Sequence, residues 1–289
     1  MRRLRRSTGL WRSPVIIAGS VIILVLLILS IGAPYISPHD PSDLHLADRL
    51  LPPFWEEGGS TTYPLGTDAV GRDILSWIIW GTRTSFLLSV LLVFISAAIG
   101  ISLGIVSGYL GGIVDTLIMR AVDFTMAFPL ILLALLLAVI LGPGVLTIAI
   151  IICLHLWAGF ARMARGETLR VKTADFIDAA KVMGVSKFRI MLRHIFPNIM
   201  TPVVVLGTLH IGRTALFLSI LSFLGVGIPT TIPDWGNMIS MGRPFLLRAP
   251  WICLIPSAAI LVVVLCFNMM GDRLNEYLNP ELRTKIRVR

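Results

Sequence analysis

Six nearly uninterrupted apolar runs alternate with polar connectors along this chain. They cover about Val15–Ile36, Ser85–Ser107, the stretch up to Leu141 that follows a short turn of Gly111, Gly112, Asp115 and Arg120, Val145–Met163, Ile199–Leu221 and Trp251–Met270. Each is close to the roughly 20 residues that a helix needs to cross a bilayer. The pattern predicts an all-α integral membrane protein with six transmembrane helices. Pro129 predicts a kink in the third run. Gly100, Gly104 and Gly108 recur every four residues in the second and give it a small-residue face for close helix packing. Just before that run, Ile74–Gly81 with Trp77 and Trp80 reads as an amphipathic segment at headgroup level.

Composition narrows the class. The 289 residues are 56% hydrophobic and 14% charged, which excludes an ordinary soluble domain. The net charge of +9 does not point to nucleic acid, because the bases sit at the ends of apolar runs, where orientation and anionic lipid explain them. Of 25 Lys and Arg, 18 fall before Val15, between Arg162 and Arg193, or after Met270, whereas the connector from Ser37 to Thr82 is acidic. The positive-inside rule therefore places both termini in the cytoplasm. The chain divides into a cytoplasmic arm (1–14), a first helix (15–36), an outside loop (37–84), a five-helix core (85–270) and a cytoplasmic tail (271–289). Within the core, loop 166–197 is inside and loop 223–250 outside. The basic start could open a secretory signal, but the run is span-length and no small-x-small cleavage site follows it. Cys153, Cys253 and Cys266 lie in apolar runs and read as buried thiols.

Between the fourth and fifth runs lies ETLRVKTADFIDAAKVMGVSKFRIMLRHIFPN, Glu167–Asn198. Thr173 reads as an N-cap, with Asp175 favourable in the first turn. Phe176, Ala179, Ala180 and Met183 follow at helical spacing as one apolar stripe. Gly184 suits a left-handed stop, Ser186 reads as the cap of a second short helix, and Pro197 as its limit. One reading is a solvated basic loop. The other is a docking element that sets Phe176 and Met183 into a partner's groove, with Ala179 and Ala180 permitting close approach.

Few polar residues interrupt the spans. Asp123 and Arg120 are spaced for an i,i+3 pair. His210 and Arg213 fall midway along the fifth run, where ionisable groups face a cavity or a partner helix, so both are pore-lining candidates. His155 reads as a helix–helix hydrogen bonder. His39 and His45 in the outside loop fix no metal geometry. An ion-driven secondary transporter would want mid-membrane carboxylates and an inverted repeat, and neither is evident. An intramembrane enzyme would want H-E-x-x-H or paired aspartates within a span, and none is present.

Taken in order, the motifs resemble the second, C-type permease of dipeptide, oligopeptide and nickel-type ABC importers, over roughly Arg12 to Leu282. They are LGTDAVGRD at 65–73, GGIVDTLIMRAVDFTMAFP at 111–129, Asp178-Ala179-Ala180 with Gly184, SFLGVG at 222–227, Trp235-Gly236 and FNMMGDRL at 267–274. Asp178 stands where the family usually has glutamate. The resemblance implies the type I ABC importer permease fold in a bacterial-type inner membrane. It implies four kinds of partner: a homologous second permease that shares the pore, two cytoplasmic ABC ATPases, an extracytoplasmic substrate-binding protein and membrane lipid. Asp178–Gly184 then looks like the loop that engages the ATPases, with Phe176 beside it. Asp68, Arg72, Asp73 and Trp235 are expected on the face where the binding protein docks or an outer gate closes, with holding the loop's own fold as the other reading of Asp68, Arg72 and Asp73. ATP and magnesium belong to the ATPases, in keeping with the lack of G-x-x-x-x-G-K-[ST] here. No cofactor, metal or catalytic residue is expected on this chain. The substrate classes implied are dipeptides, longer peptides, glutathione-like peptides or nickel chelates.

Overall fold

The computed structural model describes residues 13–278, and the basic clusters before and after that range lie outside it. Among the described residues the chain is helical, with short 3-10 and π turns and no strand. Helix α1, Pro14–Ile36, opens on a proline, whose missing N–H costs nothing in a first turn. Helix α2, Ile74–Thr82, runs through a π turn at Arg83–Leu87 into α3, Leu88–Leu110. The result is one continuous run of 37 residues. The expected separate interfacial segment is therefore the outer end of the second span. Arg83 and Thr84 break the apolar pattern without breaking the backbone ladder. The Arg83 guanidinium lies over the Trp80 ring, and the Thr84 hydroxyl reaches the Gly81 and Pro233 carbonyls.

The third span departs further from expectation, because the residues read as a turn, from Gly112 to Arg120, are already helical. Helices α4, Gly112–Ala127, and α5, Leu130–Leu141, meet at 90°. Phe128 is extended because the Pro129 ring excludes the helical region for the residue before it. Pro129 thus breaks the helix rather than kinking it. Helix α6, Val145–Lys172, continues nine residues past Met163, carrying Arg162, Arg165 and Arg170 on helical backbone. Helices α7, Asp175–Val182, and α8, Lys187–Ile190, follow. A second π turn, Met191–Ile195, joins α8 to α9, Phe196–Phe223, again as a 37-residue run. Pro197 does not end that helix, since the wider turn absorbs the lost donor and the crowded carbonyl one turn back. Helix α10, Trp235–Gly242, lies in the 223–250 connector, and α11, Trp251–Leu278, closes the described chain. Five helices are long and apolar enough to cross a membrane, or six with the bent α4–α5 pair counted as one span.

The described residues form two compact units, 13–89 with 211–278, and Val90–His210. In the first, α1 lies against α11 so closely that a Cβ on Gly19 would meet Met270 at 2.5 Å. Its core gathers Ile74, Trp77, Met238, Ala249, Trp251 and Ile252. In the second, the glycine face of α3 rests on α6. A Cβ on Gly100 would lie 2.4 Å from the Trp157 carbonyl, and one on Gly104 would lie 2.5 Å from that of Ala161. Backbones that close maximise dispersion contact, which drives helix association where lipid is as apolar as leucine.

Candidate functional site

The α7–α8 loop is a small rigid body. Gly184 sits at φ +75°, a conformation that excludes most side chains. Its N–H reaches the Lys181 carbonyl at 3.0 Å, and that of Val185 reaches Ala180 at 3.1 Å, the bond pair of a Schellman stop. At the other end Ala174 holds the cap position without a side-chain bond, and the Thr173 hydroxyl turns back to the Arg170 carbonyl. Thr173 is thus not the cap, because α6 runs on to Lys172 and draws the threonine into its own last turn. Ser186 holds the cap position of α8 but makes no side-chain cap bond.

The apolar face of α7 is narrower than its sequence spacing suggests. Phe176, Ala179 and Met183 point outward, with Met183 74% exposed, whereas Ile177 and Ala180 are buried within the unit. Ala179 and Ala180 lie about 100° apart around the helix, and the unit covers the Ala180 side of the stripe while leaving the Ala179 side open. Ala180 accordingly leaves the outward set and anchors the helix. Two residues join that set, Val182 at 88% and Phe188 at 68% exposed. Their signal was present as bare apolar letters in a polar loop. Asp178 is exposed and paired with Lys181 at 2.7 Å.

The LGTDAVGRD motif is built in the opposite way. Asp68 is buried, and its Oδ1 accepts from the N–H groups of Val70 and Arg72, both at 2.9 Å. Asp73 caps α2 through the N–H groups of Leu75 and Ser76, and it also receives the Ser76 hydroxyl and a His39 contact at 3.2 Å. Gly71 takes φ +80°, and a Cβ there would lie 1.8 Å from the His45 carbonyl. Arg72 packs its guanidinium over the Trp77 ring at 4.6 Å and lies 3.8 Å from Asp68. Trp235 is 1% exposed, wedged against Gly81, with its indole N–H donated to the Ile78 carbonyl. The acceptors of Asp68 and Asp73 and the ring of Trp235 are thus spent inside the unit. Of the two readings, these bonds are those of a loop held by its own residues, and Arg72 is the partly exposed member of the set. His39 stacks near Tyr63, and no group of three metal-ligating side chains occurs among the described residues.

Arg213 is exposed on α9 and makes no ion pair among the described residues. His210 is half-buried with its ring 5.2 Å from that of Phe160. The two belong to different units. Asp123 pairs with Arg162 at 2.8 Å instead of Arg120, because α4 packs against α6 there.

Two polar clusters were not legible beforehand. Asp115 accepts from Nε and Nη2 of the Arg165 guanidinium and from the Ser107 hydroxyl, which ties α3, α4 and α6 together. Asp234 is fully buried at the start of α10, accepting from Ser85 Oγ and the Asn237 N–H, both at 3.0 Å. Burial pushes its carboxyl above the usual range, against the pull of the bonds from Asn237, Ser85 and Ser222.

Residues 100–284 match the model of the binding-protein-dependent transport system inner membrane component. The chain belongs to this family. Residues 2–53 match the N-terminal transmembrane domain of oligopeptide transport permease C. The dipeptide transport system permease protein DppC of Haemophilus influenzae is 40% identical over 92% of this chain and 90% of its own length. The glutathione transport system permease protein GsiD of Pectobacterium atrosepticum is 36% identical over 94% and 89%. A structure of the inward-facing MetNI methionine ABC transporter aligns with TM-score 0.57 at 17% identity, over 70% of this chain and 96% of that one. It supports the type I importer permease fold. The chain is a multi-pass permease subunit of an ABC importer of the C type, not an ion-driven transporter.

Proposed function

We propose that this permease forms half of an import pathway for di- or oligopeptides, delivered from outside by a binding protein. The observation that carries the substrate class is likeness along nearly the whole chain to permeases named for dipeptide and glutathione transport. A homologous permease supplies the other half of the pathway. Two separate ATPases bind ATP and magnesium and do the hydrolysis, and this chain does no covalent chemistry. Both termini and the α7–α8 loop face the cytoplasm, as the distribution of Lys and Arg supports.

Coupling runs through α7. A nucleotide-driven motion in a partner needs a stiff contact, and the capped helix offers Phe176, Ala179, Val182 and Met183 to a groove while Ile177 and Ala180 root it. Within the pathway, Arg213 is the group suited to a passing peptide carboxylate, since an exposed cation at mid-membrane depth needs water or an anion nearby. The test is uptake of a labelled dipeptide into vesicles holding the two permeases and the ATPases, with the binding protein added. Uptake should require ATP and the binding protein, and unlabelled dipeptide should compete better than glutathione or a nickel chelate. Uptake by this chain alone under an ion gradient would overturn the reading.

A further inference from the structure

The chain has only four lysines, against 21 arginines. Three of them, Lys172, Lys181 and Lys187, line a single cavity of about 350 Å³ at the ends of α3 and α6. We propose that this cavity binds the phosphate headgroup of an anionic phospholipid. The proposal goes beyond peptide import and rests only on the cytoplasmic assignment of that membrane face.

The cavity has two kinds of wall. Lys172 lies over the Tyr109 ring at 5.6 Å and gives one N–H to the Tyr109 carbonyl at 2.7 Å, which leaves two donors for a ligand. Lys181 is held by Asp178 and likewise keeps donors free. Lys187 makes no ion pair among the described residues. Two carboxylates act on these three ammonium groups, Asp178 on Lys181 and, at longer range, Asp115 on Lys172, and Asp115 is already bound by Arg165, so the cavity keeps a net positive charge. The remaining wall is apolar, from Leu110, Val185 and Ile190. Leu110 ends a membrane span, so the apolar wall adjoins the bilayer. A free phosphate would use the ammonium groups and leave that wall wet, whereas a phospholipid fills both. Basic pockets at the cytoplasmic ends of membrane helices take such headgroups, and lysine suits a rotating phosphate as a compact point charge. Because Lys181 belongs to α7 and Lys187 to α8, a bound headgroup would brace the α7–α8 loop against α6.

The test uses the assembled permease–ATPase complex in nanodiscs of phosphatidylcholine, with or without phosphatidylglycerol. Lipid that stays bound through delipidation is measured by native mass spectrometry. The wild type should retain phosphatidylglycerol. Converting Lys172, Lys181 and Lys187 together to Gln should weaken that binding on the order of 100-fold, about fivefold per charge near a membrane surface. The triple change to Arg should keep most of it. Should the triple Gln complex fail to assemble, Lys187→Gln alone carries the test, with about fivefold weaker retention and unchanged hydrolysis in phosphatidylcholine. Equal retention by wild type and Gln variants overturns the proposal. So does displacement of the lipid by excess inorganic phosphate, which would make the site one for free anions. Loss of the ATPases from the Gln variant in phosphatidylcholine alone also overturns it, since the lysines would then face an acidic partner. Peptide uptake in the same discs reads the transport function separately, because its failure in the wild type leaves the lipid result standing.

Discussion

The loop around LGTDAVGRD with α10, and the loop of α7 and α8, are both short connectors between membrane helices, yet they use their residues in opposite ways. The first buries its polar groups: Asp68, Asp73 and Asp234 are each at most 5% exposed and each is matched by hydrogen bonds within the unit. The second exposes apolar groups: Phe176, Val182, Met183 and Phe188 are between 45% and 88% open. A buried, satisfied carboxylate specifies a fold, because its alternative is an expensive orphan. An exposed apolar side chain on a rigid helix adds little to its own chain, and a contiguous group of them is the kind of surface that a partner covers. A strong sequence motif can therefore mark self-assembly of a loop, and a weaker one can mark the interface.

The two positive-φ glycines break the comparison most sharply. At Gly71 a valine meets both the left-handed backbone and the His45 carbonyl, so Gly71→Val should abolish folded protein in detergent size-exclusion chromatography. At Gly184 nothing lies within 4 Å of an added Cβ, so Gly184→Val should suffer only backbone strain, of about 1–3 kcal/mol. Its product should elute normally while losing the ATPases. Next in size is Trp235→Ala, which empties the space against Gly81 and should destabilise by about 3–5 kcal/mol in thermal unfolding. Phe188→Ala, removing an exposed ring, should leave the melting temperature unchanged.

A subtler effect concerns acid. The folded Asp234 carboxyl titrates above its unfolded value because burial disfavours its charge. Its contribution to stability is full below the unfolded value of about 3.9 and is lost as pH rises through the folded one. The melting temperature of the wild type minus that of Asp234→Asn should therefore grow as pH falls from neutral toward the carboxylate range. A difference independent of pH would contradict the assignment. Smallest of all, Asp178→Ala removes an exposed i,i+3 pair with Lys181, for about 0.2–0.5 kcal/mol on the loop.

Much of this was readable in the sequence, and the remainder was hidden for physical reasons. Apolar run length located the spans, because a bilayer imposes that length directly. The glycines at 100, 104 and 108 announced a close contact, and α6 is the partner. The continuity of α2 with α3 was masked by Arg83 and Thr84, because hydropathy registers a side chain where a helix registers only its backbone. Pro129 and Pro197 carry the same letter, yet one breaks a span at 90° and the other is absorbed by a π turn. The outcome depends on neighbours that a single sequence does not rank. Ala180 lies on the predicted stripe, but it is on the edge that the unit itself covers, which local spacing does not reveal. Asp115 with Arg165, and Asp234 with Ser85, are 50 and 149 positions apart, and no local spacing encodes such pairs.

The central claim is that the outward face of α7 couples this permease to its ATPases. Met183→Ala should leave the melting temperature of the permease pair unchanged, and Phe176→Ala should lower it only slightly, since Met183 is 74% and Phe176 45% exposed. If fully buried in the partner, each truncation should remove about 1.5–3 kcal/mol of apolar contact. The direct measurement is the amount of ATPase retained on the purified permease pair, beside hydrolysis stimulated by the loaded binding protein. Each substitution should loosen the ATPases at least about tenfold and depress stimulation in proportion. Full retention and full stimulation in both variants would contradict the account.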